Sequence, residues 1–309
     1  MSVTNPHDLF FKQIESNPAN AADFIATLCP VDLVANFNLS TLTLEGNSFI
    51  TDELKECFSD LVYSCAYRGE TKLKITFLFE HKSFKPAYPL IQILEYMLNI
   101  WKTQLKTREP LTPIVTILFY HGNEQWQPAK FREYFTCMDA ALSEFTPQFN
   151  IIFINTKEYS DNDILKPMFK REANKLLFLL MKHIFTTEYL KEHLKVFLET
   201  AKSFFNTEEG LRFLESTLIY LFSTNDLETE YIIDIIKNIT KEGGEIAMTT
   251  AMRLKEEGKI EGKIEGKIEA ILGMYEAGVA IELIARSVKM DEKEITGILK
   301  ENGMMREQE

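Results

Sequence analysis

Residues 58–82 constrain the fold more than any other stretch of this chain. "DLVYSCAY" and "KLKITFLFE" are apolar runs rich in β-branched and aromatic residues, separated by "RGET", in which Gly69 suits a turn. They predict a β-hairpin from Phe58 to Lys82. Residues two apart on a strand share a face, so Glu80 and Lys82 stand with Leu78 and Thr76, while Phe79 and His81 point the other way. Neither face of this strand reads as freely solvated. Glu80 and Lys82 therefore sit at the edge of a buried region, where a carboxylate is costly unless it is paired or bound to metal.

The surrounding sequence extends this hairpin into a mixed α/β sheet. "NPHDLFFKQI" predicts a helix with Asn5 as N-cap, Pro6 in the first turn and Asp8 at the positive end of the dipole. Helical spacing continues through "ADFIATL" until Pro30, and "STLTLEGNSFI" alternates like a strand and turn. Pro86 and Pro89 break the chain before the amphipathic "LIQILEYMLNIWKTQL"; a strand, "TPIVTILFY", ends in "HGNEQW". A further helix is expected around residues 131–144, before the strand "NIIFIN". The order from the hairpin onward is β-β-α-β-α-β. Strand signals vanish beyond it, and residues 160–240 carry helix after helix. The expected organisation is a sheet domain at 1–156, a helical region at 157–242 packed on or beside it, a Gly-Lys-Ile-Glu repeat linker at 243–269 and a small helix-turn-helix-like tail at 270–309.

A chain of 309 residues can bury a large core, and its 45% hydrophobic and 26% charged composition fits a globular protein. No apolar run reaches the roughly 18 to 20 residues needed to span a bilayer, and the N-terminus lacks the basic start and apolar stretch of a secretory signal. Cys29, Cys57, Cys65 and Cys137 show no metal-ligand spacing and read as reduced thiols in a cytoplasmic protein. The net charge of −12 argues against a protein that coats nucleic acid by bulk electrostatics. An acidic chain can still act on DNA through a local basic strip or a bound cation.

Asp60 opens the first hairpin strand, and a turn near Gly69 returns the chain beside it, toward Glu80. Two carboxylates and a lysine at one end of a hairpin suit a hard divalent cation such as Mg²⁺. Such an ion polarises a phosphoryl oxygen and acidifies bound water, and Lys82 can offset charge developing on a phosphate. The next helix adds Gln92 and Tyr96, an i, i+4 pair able to border the same pocket, and Lys85, Lys102 and Lys106 can supply a basic strip. The same Glu-x-Lys spacing recurs in "EGKIEGKIEGK", but as a four-residue helical repeat stacking Ile260, Ile264 and Ile268. That context marks a spacer or a self-association strip and a candidate route to homo-oligomers. His121 is either a ligand or a turn residue after its strand, and His183 and His193 read as structural.

The pattern Asp…Glu-x-Lys followed by Gln-x-x-x-Tyr on a helix resembles the PD-(D/E)XK nuclease superfamily. "HDLFFK" at 7–12, "FSDLVY" at 58–63, "FLFEHKS" at 77–83, "ILEYMLNIW" at 93–101 and "TPIVTILFYHGNEQW" at 112–126 are similar, in order and spacing, to its Rpn branch of recombination-promoting nucleases. That resemblance covers about residues 5 to 155. It implies a PD-(D/E)XK nuclease-like sheet flanked by helices, DNA as partner, Mg²⁺ or Mn²⁺ as cofactor, and DNA cleavage that promotes recombination in a mobile-element or phage-defence setting. Asp60 and Glu80 would bind the metal with the His81 backbone carbonyl, Lys82 would be catalytic, Gln92 and Tyr96 would support it, and Asp8 would complete the site. Ser59 departs from the family's proline, and Asn38 stands where an aspartate is usual.

Two rival readings follow from the same residues. A non-cleaving recombination or transposition accessory would bind DNA alone, and the intact carboxylates and lysine argue against it. An interaction protein would be dominated by its helical half and regulated by its tail, whose last helix begins at Asp291 and is acidic.

Overall fold

The computed structural model describes residues 5–45, 61–69, 71–80, 86–136 and 139–305, with Thr71–Glu80 and Ala140 described as backbone. It divides into a unit at Met1–Ala247 and a second at Met248–Glu309. The first is a mixed α/β structure built on a five-stranded sheet. Its opening helices, α1 (Pro6–Glu15) and α2 (Pro18–Leu28), each carry Pro in the first turn and an Asn cap: Asn5 Oδ1 accepts from the His7 amide at 3.1 Å, and Asn17 Oδ1 from Ala19 at 2.9 Å. The break between them falls at the second Asn-Pro pair, where the cap takes over the orphaned amides.

Strands β1 (Phe37–Leu44), β2 (Leu61–Tyr67), β3 (Thr71–Glu80), β4 (Ile114–Tyr120) and β5 (Ile151–Asn155) lie in sequence order across the sheet. β1–β2 and β2–β3 pair antiparallel, β3–β4 and β4–β5 parallel. The hairpin turns through Arg68 (φ 49°) and Gly69 (φ 86°), and glycine adopts the left-handed backbone there without steric cost. Helix α3 (Pro89–Thr107) makes the crossover from β3 to β4, as a parallel pair requires.

The expected helix at 131–144 is not formed. Phe131–Tyr134 is a 3₁₀ turn and Ala140–Ser143 a single α-turn. Phe131 and Tyr134, three apart, are served by one turn, which packs both rings against the α3 side of the sheet. Leu90 N, at the start of α3, donates to the Tyr134 hydroxyl at 3.1 Å.

Strand alternation splits the core into two layers. Ile117 and Phe119 of β4 and Leu61, Tyr63 and Cys65 of β2 join the cluster that holds α1 and α2. Leu118 packs instead with Leu90, Ile93 and Met97 of α3, and Val62 with Tyr96 and Ile100. The α1 layer also receives α4 (Glu172–His183), α5 (Thr187–Glu199), α6 (Glu208–Thr224) and α7 (Thr229–Ile239). Phe119 is its keystone, with ring centroids 5.4, 5.6 and 5.7 Å from those of Phe11, Phe24 and Phe178.

Glu15, the last residue of α1, is fully buried, and neither carboxylate oxygen has a hydrogen-bond partner among the described residues. Burial, reinforced by the nearby Asp23 carboxylate and opposed by Arg171, pushes its pKa well above the usual 4.5. A raised carboxyl pKa costs stability as pH climbs past the unfolded value. Glu15→Leu is therefore expected to stabilise the chain, with a larger gain in urea melts at pH 7 than at pH 4. A gain that did not change with pH would show that the cost is not one of ionisation.

The second unit contains most of α8 (Lys241–Glu276), α9 (Ile281–Val288) and α10 (Glu292–Glu301). The two glycines of "KEGGE" lie in the first turn of α8, and a Cβ on Gly243 would fall 2.7 Å from the Leu214 side chain. Ile271, Ile284, Ile295 and Leu299 form a small separate core, and Asp291 caps α10 in a box with Glu294. The Gly-Lys-Ile-Glu repeat is continuous helix within α8, with Ile260 and Ile264 51% and 53% exposed.

Candidate active site

The register of the sheet sets the frame. Glu80, Tyr120 and Asn155 are the last residues of β3, β4 and β5, and they align in one row. In open sheets with parallel strands, ligands favour the crevice outside such carboxyl ends. β2 runs antiparallel to β3, so its first residue, Leu61, lies opposite Phe77, three positions before Glu80. Asp60 immediately precedes Leu61, while His81 and Lys82 immediately follow Glu80. Those three residues lie outside the described set, and Glu80 is placed by its backbone. Among the described residues, no group of three or more His, Cys, Asp or Glu is arranged to hold a metal ion.

The two helical contributors approach from opposite faces. Tyr96 of α3 is buried and packs with Val62, two residues along β2 from Asp60, and Gln92 is half-buried one turn earlier. Asp8 belongs to α1, on the other face, where its neighbour His7 lies with its ring 5.0 Å from that of His121. His121 directly follows Tyr120 of the aligned row. The frame thus places Asp8 on α1, one residue from the His7 that meets His121, and Tyr96 near the start of β2, in separate layers.

The sequence left His121 open between ligand and turn residue. It is fully buried, stacked on Phe185 at 5.4 Å, with Nδ1 3.1 Å from the Met181 carbonyl. A carbonyl only accepts, so Nδ1 carries a proton and donates it there. His7 is held by a second long-range contact. Its Nδ1 lies 2.8 Å from the Tyr220 hydroxyl, whose pKa burial pushes well above its ordinary range. The ring partners of His7, namely Tyr220, His121 and Phe185, lie more than a hundred residues away in sequence. "FYHG" at the end of an apolar strand was the available signal for His121.

At the same sheet edge, Asn155 Oδ1 accepts from the Lys157 amide at 3.1 Å, and Lys157 Nζ donates to the Asn123 carbonyl. Burial lowers the Lys157 pKa. A second titratable group lies in the α4–α5 region, where the Asp161 carboxylate accepts from Lys182, from His183 (2.9 Å) and from Tyr189 (2.7 Å). Burial raises the Asp161 pKa, but those bonds outweigh it and bring it to about 2. His183 is lowered by burial, and Tyr189 is pushed to about 12 mainly by its bond to Asp161. This cluster ties the turn at Asp161–Leu165 to two helices, which agrees with a structural His183.

Among the described residues, no helix is long and apolar enough to cross a membrane. The family model described as "Putative transposase, YhgA-like" matches residues 5–212. The recombination-promoting nuclease RpnA of Escherichia coli K12 is 28% identical over 298 residues, covering 94% of this chain and 96% of the relative. RpnD of Escherichia coli O157:H7, also named a recombination-promoting nuclease, is 26% identical over 264 residues, covering 83% and 96%. The Escherichia coli K12 protein named as the inactive nuclease-like RpnE is 26% identical over 303 residues, covering 95% and 97%. No solved structure matches the chain.

Proposed function

The chain belongs to the YhgA-like transposase family, and from that premise we propose that it is a metal-dependent DNA endonuclease of PD-(D/E)XK type whose cleavage promotes recombination. The observation that carries the reading is the register: Glu80 ends β3 in the aligned row, and the neighbouring β2 enters the sheet directly after Asp60. Names of relatives support nuclease chemistry and recombination, but one is named inactive at the same 26% identity as one named a recombination-promoting nuclease. Overall similarity therefore does not decide activity; the acidic and basic groups at this sheet end do.

The donor set fits a hard cation. Asp60 and Glu80 offer carboxylates and His81 a main-chain carbonyl, all oxygen ligands of the kind Mg²⁺ or Mn²⁺ takes. When bound, the ion polarises a phosphoryl oxygen and acidifies a water molecule. Lys82 sets its ammonium against charge that grows on the phosphate during displacement, where a fixed cation counts for most. Tyr96 and Gln92 support the β2–β3 end from the α3 layer, and Asp8 approaches from the α1 layer. The free thiols of Cys29 and Cys65 are buried, which holds them up at about 12 and 11. Exposed Ile260 and Ile264 in the repeat support self-association as its role.

The test is cleavage of circular, linear and single-stranded DNA by the full chain in Mg²⁺, in Mn²⁺ and in EDTA. Nicking or cutting that requires the divalent ion is the expected result. DNA binding without cleavage in either ion would favour the non-cleaving accessory instead.

A further inference from the structure

A cleft of about 590 Å³ opens on the α3 side of the sheet, between the start of α3, the loop at 127–132 and the loop leading into β5. Its size suits one nucleotide-sized ligand. The lining is chemically selective. Lys130 and Arg132 supply cations, Gln127, Gln148 and Asn150 supply amides, and Phe149 presents a half-buried ring. No carboxylate lines it among the described residues, although Asp and Glu outnumber Lys and Arg by 46 to 34 in this chain. Of the nearby acidic groups, Glu133 accepts from the Lys130 amide at 3.2 Å and Asp139 from Leu142 at 2.8 Å, while Glu144, next to Ser143 of the lining, is exposed.

The pieces are held in place. Gln148 Nε2 donates to the Ser143 carbonyl at 3.1 Å, which orients its amide, and Phe149 rests on Phe131 with ring centroids 5.8 Å apart. Between Ser143 and Pro147 of the lining, Phe145 stands 86% exposed. Phe153, at the floor, aligns with Leu118 of β4, which aligns with Leu78 of β3. The cleft is thus two strands across and two residues back from Glu80, about 12 Å by strand spacing and rise.

We propose that this cleft seats an unpaired nucleotide of the DNA strand presented to Glu80, so that the enzyme acts preferentially on single-stranded or locally opened DNA. The inference rests on the nuclease reading. Arg132 and Lys130 hold phosphates, the amides meet the exposed edge of the base, and Phe149 and Phe145 offer stacking faces for successive bases. A duplex hides those base edges and faces, so the cleft discriminates by pairing state.

The test measures binding of a fluorescein-labelled single-stranded oligodeoxynucleotide and its duplex in Ca²⁺, by anisotropy, with the full chain carrying Glu80→Gln. Arg132→Glu and Gln148→Ala, both at exposed positions, are each expected to weaken single-strand binding about tenfold and duplex binding less than about twofold. With Arg132→Glu, the salt slope for the single strand is expected to fall by roughly 0.7 for each phosphate that is no longer neutralised. Equal losses on both substrates would reduce the cleft to a basic surface and overturn the proposal, as would unchanged affinities. An RNA strand of the same sequence binding much more tightly than DNA would overturn it in favour of RNA. Binding is read without turnover, so cleft variants that behave as expected beside a wild type inert in Mg²⁺ would sink the nuclease reading alone. Normal cleavage with indifferent cleft variants would sink the cleft alone.

Discussion

Asp60→Ala and Glu80→Ala are each expected to reduce Mg²⁺-dependent DNA cleavage by about a thousandfold or more, equivalent to roughly 4 kcal/mol of barrier. In the proposed site each variant would remove one of two charged oxygen donors, and a divalent ion left with a single carboxylate would be held weakly and would position its water poorly. Lys82→Ala is expected to cost less, about a hundredfold, because it removes transition-state charge compensation and leaves the ion in place. The order of these losses carries information. If Lys82→Ala were as damaging as Asp60→Ala and excess Mg²⁺ restored neither, Lys82 would be acting on the ion's own site. Wild-type cleavage by Asp60→Ala or Glu80→Ala, with unchanged thermal unfolding, would move the active site elsewhere.

The sheet half of the molecule was legible because its signals are local. Period-two apolar runs around Gly69 specify the hairpin, and Pro89 before an amphipathic run specifies α3. The same logic failed at 131–144, where aromatic residues three apart satisfy a 3₁₀ turn as well as a helix. The 3₁₀ turn carries its own cap, Glu133 accepting from the Lys130 amide, and a long-range bond as well, the Tyr134 hydroxyl accepting from the Leu90 amide 44 residues away. His121 was unreadable for a similar reason. Its Nδ1 donates to the Met181 carbonyl, 60 residues away. The tail repeat was legible as a helical pattern, yet its three interior glycines argued for softness at about 1 kcal/mol each. It runs as continuous helix, with the Lys259–Glu256 contact at 3.2 Å and Arg253–Glu257 at 4.0 Å along its surface.

The largest stability loss outside the aromatic core is expected from Asp23→Ala. Asp23 sits on α2 and is 8% exposed, yet its bonds are made to the start of α4. Oδ1 accepts from the Lys170 amide at 3.0 Å, and Oδ2 from the Arg171 amide at 3.0 Å and from Asn174 Nδ2 at 3.1 Å. Arg171 occupies the cap position of α4 but makes no capping bond with its own side chain, so a carboxylate from another helix performs that task. It also places negative charge at the positive end of the α4 dipole. Alanine would leave two backbone donors without their acceptor, at about 1–3 kcal/mol each, for a total of roughly 3–5 kcal/mol in urea unfolding. Asp23→Asn keeps one acceptor oxygen and relieves the charge facing Glu15, so its loss should be less than half as large. Because α4 carries Met181, whose carbonyl orients His121 at the sheet edge, the cap links core stability to the candidate site. A loss below about 1 kcal/mol for alanine would mean that water replaces the carboxylate as acceptor, and the inter-helix cap would then be dispensable.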